Sequence, residues 1–394
     1  MATVNTLGVS PVPVLVDQQT AFGEVEVAQK VGMIYGKFTY NLNTELFKDN
    51  STGSGSVTVT PPFSITSSGA ATSSKGILNS VNVLEYFPGT GGSAYFTAIF
   101  DTPKTGNNQL VGIGDLVNGF FIGYNNETFS ILRRSAGVDT FVGQSSFNVD
   151  TLDGNGESGM TIDTTKGNVF KIQYQWLGFG QIDFFVENPE TGLLIIFHQI
   201  KYTNANTDVS IQQPSLPFQV ESNNTTNATD VVIKVPSLSA YTQGITSNAA
   251  FLTHGSSNSV TAVSAERAIL TIRNNATFAS VTNYIRISPK IVSITSDGTK
   301  SSTFAIYRNA TLGGTPNFVD FNSNSSVVAI DKAGTTVTGG TLIATFDIGK
   351  VSNEIINLDF SSIILHPGDT MTISVASSSN TDATASITWQ ERFN

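Results

Sequence analysis

Apolar and polar residues alternate along this chain in short bursts separated by turn-forming residues. In residues 169–177, Phe170, Ile172, Tyr174 and Trp176 occupy every second position, with Lys171, Gln173 and Gln175 between them. A period of two puts one set on a core and the other on an open face, so the segment predicts a half-buried β-strand. The same signature fills residues 109–134. Strands are predicted at 109–114, 119–124 and 127–133, separated by Gly114-Asp115, Asn118-Gly119 and Asn125-Asn126. Gly and Asn tolerate positive φ, and Asp and Asn cap turns with their own side chains. Short strands at this spacing predict an antiparallel sandwich.

The fold class expected is all-β: two antiparallel, jelly-roll-like β-sandwich domains preceded by an extended N-terminal arm. The arm is assigned to residues 1–74. Its run 9–16 is apolar but carries Pro11 and Pro13, which suits an extended arm or an edge strand. Short strands are expected at 24–27, 36–40 and 57–60, the last of them between Ser/Thr/Gly-rich stretches at 51–56 and 64–74. The first sandwich is assigned to 75–245. Its strands 181–187 and 193–200 flank a turn at 188–192, the polar run 221–230 reads as a loop or linker, and 231–235 is one more strand. The second sandwich is assigned to 246–394, after a boundary region rich in Gly, Ser, Asn and Thr at 236–262. Its strands are expected at 268–273, 284–287, 303–308, 327–330, 342–348, 355–360, 370–375 and 385–389. His366-Pro367-Gly368-Asp369 predicts a type II turn.

Composition supports this reading. Of 394 residues, only 13% are charged, about half the usual 25%. Polarity without charge suits strand faces and turns better than surface helices. The net charge of −10 argues against nucleic acid as a partner, since phosphate binding needs clustered Lys and Arg. The basic doublet Arg133-Arg134 reads as a strand end. There is no cysteine, so neither disulfides nor thiolate metal sites are available. No apolar run approaches a membrane span, and no membrane insertion is expected.

Candidate chemistry is sparse. Asp153, Asn155 and Glu157 have the 1, 3, 5 spacing that opens a calcium loop. Gly159 is one place late, however, and Thr164 stands where a bidentate Glu is needed. Of the three histidines, none has metal-ligand spacing: His198 reads as a sheet-edge side chain, His366 as a turn residue, and His254 is the third. Asp183 and Glu187 share a strand face but stand ~13 Å apart, too far for paired-carboxylate chemistry without partners from other strands. Gly89–Gly92 and Gly112–Gly114 lack the features of phosphate loops. About eight Asn-x-Ser/Thr sequons are what chance provides in a chain this rich in Asn, Ser and Thr. No catalytic, cofactor-binding or metal-binding residue is assigned, no cofactor is expected, and the chain is read as a non-enzyme.

Several motifs, in order, resemble a known group. Residues 20–24 (TAFGE), 36–43 (GKFTYNLN), 53–57 (GSGSV), Tyr86-Phe87-Pro88-Gly89-Thr90-Gly91, 94–98 (AYFTA), 109–114, 118–125 and 129–134 resemble virion surface proteins of tailed bacteriophages and large DNA viruses. The C-terminal 365–373 and 386–391 resemble the last hairpin of the same proteins, more loosely. The resemblance implies a non-enzymatic structural component exposed on a virus particle, such as a fibre, decoration or minor capsid or tail protein. It further implies a homotrimer with other capsid or tail proteins as partners, while exposed aromatics and Asn, Gln and Ser side chains offer contacts for host-surface glycans. The N-terminus carries no signal-type apolar core, and synthesis in the host cytoplasm followed by release in the virion would reconcile that with an adhesive composition. Two alternatives stand beside this reading: a glycan-binding or glycan-cleaving sandwich, and a cellular surface-layer protein or adhesin.

Overall fold

A computed structural model describes residues 29–244, 251–358 and 363–393, together with a short backbone pairing of Ala2–Thr3 with Pro13–Val14. The predicted strand at 24–27 and most of the run 9–16 lie outside these residues. The chain divides into two compact units, Met1–Thr246 and Ser247–Asn394.

The strands of the first unit are β1 (Lys30–Lys37), β2 (Phe47–Asp49), β3 (Ser56–Thr60), β4 (Phe63–Ser67), β5 (Lys75–Leu84), β6 (Gly91–Phe100), β7 (Asn107–Gly114) and β8 (Gly119–Asn125). They continue with β9 (Thr128–Ser135), β10 (Val138–Gly143), β11 (Asn168–Gln175), β12 (Ile182–Glu187), β13 (Leu194–Ile200), β14 (Leu216–Asn224), β15 (Val232–Val235) and β16 (Ser237–Gln243). One sheet has the order β10-β9-β8-β7-β14-β5-β2. The other runs β13-β12-β11-β6 and then forks: β16 and β1 continue from one end of β6, and β15, β4 and β3 from the other. The fork falls at Pro236, which has no N–H to donate and separates β15 from β16.

The inward residues of both sheets form one core. Phe120, Ile122, Ile131 and Phe218 come from the first sheet, and Phe96, Phe100, Phe170, Ile172, Tyr174 and Phe184 from the second. Phe96 lies 5.6 Å from Phe170 and 5.5 Å from Phe218, ring centre to ring centre, within the range of favourable aromatic packing. The three predicted strands at 109–134 form as β7, β8 and β9. Asp115 caps their first turn by accepting the N–H groups of Val117 and Asn118, and Asn126 takes a left-handed φ of 54° in the second.

Two expectations need correction. Residues 30–67 are not an arm: β1, β2, β3 and β4 are built into the sandwich. The Ser-rich composition misleads because these hydroxyls serve the interior. Ser64 donates to the carbonyl of Val235 and Ser74 to that of Ser68. The run 221–230 is not wholly a loop, since its first part lies in β14, between β7 and β5. There Glu221 and Asn224 are buried with polar partners. Within the boundary region 236–262 lie β16 and the first strand of the next unit, and the division into units falls between Thr246 and Ser247.

The second unit comprises β17 (Phe251–Val263), β18 (Arg267–Asn274), β19 (Ile287–Ser296), β20 (Ser302–Arg308), β21 (Val319–Asp320), β22 (Val328–Asp331), β23 (Thr341–Ile348), β24 (Ser352–Asn357), β25 (Thr370–Ser377) and β26 (Thr381–Arg392), with two small ribbons. Its sheets have the orders β17-β26-β19-β24 and β21-β22-β18-β25-β20-β23. Between them lie Ile272, Ile294, Phe304, Ile373, Ile387 and Trp389. The expected strand at 284–287 instead begins at Ile287 and runs on to Ser296. In the turn before β25, Gly368 has φ 93° and the N–H of Asp369 reaches the carbonyl of His366, as a type II turn requires.

Candidate functional site

The alternation that buries Ala94, Phe96, Phe170 and Ile172 puts their neighbours on the open side of the second sheet. Registry then assembles two rows across the strands. Tyr35 of β1, Ser239 of β16, Tyr95 of β6, Lys171 of β11 and Phe185 of β12 stand side by side. In the next row Gly32, Tyr241, Ser93, Gln173, Asp183 and Gln199 follow from the same strands and from β13. A shift in the β1–β16 register between Ala240 and Tyr241 puts Gly32 opposite Tyr241. The ring of Tyr35 lies across Gly32, where any Cβ would collide with its hydroxyl.

The rings form an angular set. Tyr241 meets Tyr35 at 5.8 Å and Tyr95 at 5.9 Å, both nearly edge-on. Lys30 donates to the Tyr95 hydroxyl at 2.7 Å and sits 4.8 Å from that ring centre. Lys171 lies 4.2 Å from the centre of Phe185 and 5.6 Å from that of Tyr95. Partial desolvation holds the Lys171 ammonium below the usual lysine range; Lys30 adds to the depression, and Tyr95 and Asp183 oppose it. Asp183 accepts from the amides of Gln181 and Gln199 at 2.6 and 2.9 Å. Tyr35 is 60% exposed. The result is an open patch in which aromatic faces adjoin ammonium, amide and carboxylate groups.

The outward face of the first sheet is different. Arg134 donates to both oxygens of Asp139 at 2.6 and 3.2 Å, to Glu221 at 3.0 Å and to the carbonyl of Asp115 at 2.9 Å. The chain of bonds continues through Gln219 and Asn79 to Asn50. Burial disfavours the charge on Arg134, but Asp139 and Glu221 outweigh it and hold its pKa above the ordinary arginine value. Phe121, Leu110 and Leu132 are buried on this same face.

The remaining sequence candidates are structural. Asp153 accepts from the Thr151 hydroxyl and the Asn155 N–H, while Asp150 accepts the N–H groups of Leu152 and Ser158. These carboxylates cap their own loop. Among the described residues no group of three or more His, Asp or Glu side chains is arranged to hold a metal ion. His198 does lie on the edge strand β13, but its ring is buried against Phe147 and Phe184, and burial lowers its pKa. His254 packs on Phe321 and Trp389. Asp183 and Glu187 share β12, as expected, and Asp183 is engaged by the two glutamines. Lys171 and Gln173 were legible as outward-facing. Tyr35, Tyr95, Tyr241 and Lys30 were not singled out; the one available signal was an aromatic at an outward position of each alternating strand.

No protein family is matched by this chain, and no curated protein matches it. Solved structures do resemble it in part. The metal-free carbohydrate recognition domain of Emp46p is 8% identical and is 97% covered by 55% of this chain, with a TM-score of 0.34. The Crh5 transglycosylase in complex with NAG is 11% identical, 89% covered by 56% of the chain, with a TM-score of 0.35. A glycosyl hydrolase family protein from Mycobacterium fortuitum is 10% identical, 100% covered by 55% of the chain, with a TM-score of 0.35. Likenesses this distant carry no argument about what the chain does.

Proposed function

We propose that the chain is a non-enzymatic, carbohydrate-binding β-sandwich protein that presents the open face of Tyr35, Tyr95 and Tyr241 to glycans. The observation that carries this reading is the placement of these three rings beside Gln173, Asp183 and Gln199 on one open sheet face. A sugar ring offers C–H faces that pack on aromatic carbon. Its hydroxyls both donate and accept, matching amides, a carboxylate and ammonium groups. The sheet fixes the spacing of these groups before any ligand arrives, which lowers the cost of binding.

A glycan array followed by calorimetry tests it. Millimolar or tighter binding is expected for at least one neutral glycan, with a loss of about tenfold or more in Tyr95→Ala and Tyr241→Ala, the scale of one lost aromatic contact and its hydrogen bonds. Binding that survives both substitutions, or no binding to any glycan, would sink the assignment. A second reading, an exposed structural protein of a virus particle, rests on the ordered sequence motifs. In that setting the same face would act through many weak copies. Mass spectrometry of density-purified particles tests it: the chain must band with the particle.

A further inference from the structure

A separate cleft of about 460 Å³ opens at the end of β9 and β10, lined in part by Arg133, Ser135, Thr140, Tyr202, Asp208 and Gln212. Arg133 and Arg134 are neighbours on one strand and therefore point to opposite faces. Arg134 is consumed by Asp139 and Glu221. Arg133 is fixed differently: Nη1 donates to the carbonyl of Ser210 at 2.7 Å, and the guanidinium lies 5.5 Å from the centre of the Tyr202 ring. Arginine has five N–H donors, and among the described residues one is used here. Among the described residues no carboxylate lies within ion-pair distance of it, and Asp208, though in the same cleft, is not its partner.

We propose that this cleft binds an acidic saccharide, with the carboxylate of a uronic- or sialic-type sugar on Arg133 and its hydroxyls on Asp208, Gln212 and Thr140. The proposal rests on the carbohydrate reading above and adds the class of sugar. A planar guanidinium held by a carbonyl and a ring is pre-organised for two parallel hydrogen bonds to a carboxylate. Asp208 in the same cleft disfavours a polyanion and suits a ligand that also brings hydroxyl donors. The net charge of −10 opposes anions in general, so the attraction for a singly charged sugar must come from the local cation Arg133.

The test titrates the full chain, followed by NMR and calorimetry, with four probes. These are an oligosaccharide ending in glucuronate or N-acetylneuraminate, a neutral counterpart, inorganic phosphate, and an acidic peptide. The acidic sugar is expected to bind at least about tenfold tighter than the neutral one. Arg133→Gln should cost about 10- to 100-fold, the range of a charge-assisted bond. Arg133→Lys should recover only part of this. Equal binding of acidic and neutral sugars, equal response to phosphate or peptide, or indifference to Arg133→Gln would overturn the proposal. If Arg133→Gln does not fold, wild-type discrimination and shifts at Thr140 and Gln212 decide. Neutral-glycan binding lost in Tyr95→Ala, without any acidic-sugar binding, would remove this cleft alone. Binding of no saccharide at all would remove both readings.

Discussion

Tyr95 and Phe121 stand near the middle of strands in the two sheets of the first sandwich, and both point away from its core. Tyr95 is part of an open patch. Phe121 is fully buried. Phe121 lies over glycines: a Cβ at Gly114 or Gly119 would come within 2.7 or 2.8 Å of its ring, and Arg134 lies 5.2 Å from its centre. Tyr95 has Lys30, Lys171 and Tyr241 as neighbours, groups that keep a polar end in water. An outward position on a strand thus does not decide exposure. What stands beside the residue in the next strands decides it, so one face holds an internal ion network and the other an open patch of aromatic and polar groups.

The largest effect is expected where that comparison is broken on the closed face. Glu221→Ala removes a buried partner of a buried cation and should cost about 3–5 kcal/mol, read as a lower urea midpoint. Replacing Arg134, Asp139 and Glu221 together by apolar residues should cost far less, because no charge is then left unpaired. If Glu221→Ala is no worse than Tyr95→Ala, the two faces are not different in kind.

Next in size are the carboxylate caps. For Asp150 and Asp369, burial raises the pKa, but hydrogen bonds outweigh it and leave the net shift downward. The bonds come from Ser158 and Leu152 N–H groups in one case, and from Asn309, Arg308 and the His366 N–H in the other. A depressed folded pKa contributes stability above the unfolded value near 4, lost as pH falls through the folded value. Asp369→Asn should therefore destabilise at pH 7 by about 1–3 kcal/mol and flatten the acid limb below pH ~4. An unchanged acid limb would contradict the cap.

His198 gives a pH dependence of the same direction from a different cause, burial alone, and in a higher pH window. Burial lowers its folded pKa, so acidification protonates the unfolded chain first, and stability falls as pH drops below about 6.5. His198→Gln should remove that slope, of at most ~1.4 kcal/mol per pH unit, in melts between pH 7 and 5. The smallest stability effect belongs to the open face. Tyr95→Ala should change stability by no more than about 1 kcal/mol while lowering glycan affinity, a split that a merely structural tyrosine would not show.

Much of the fold was legible because it rests on local rules. The alternation of Phe170, Ile172 and Tyr174 and the turn residues at Asp115, Asn126 and Gly368 each act within a few positions, and each strand or turn formed there. The candidate site was less legible. Lys171 and Gln173 could be called outward-facing, but Tyr35 and Tyr95 are 60 positions apart and Tyr241 stands far from both, so no spacing rule joins them.

By itself, the sequence determined the element type, the turns and the two-faced character of each strand, since sterics and a period of two need no distant partner. Only the tertiary structure decided which outward residues would be hidden. Glu221 and Arg134 meet across 87 positions, and residues 30–67 pair with strands on either side of the core. Cross-strand registry is a long-range property. A one-residue slip would have placed every one of these side chains on the other face.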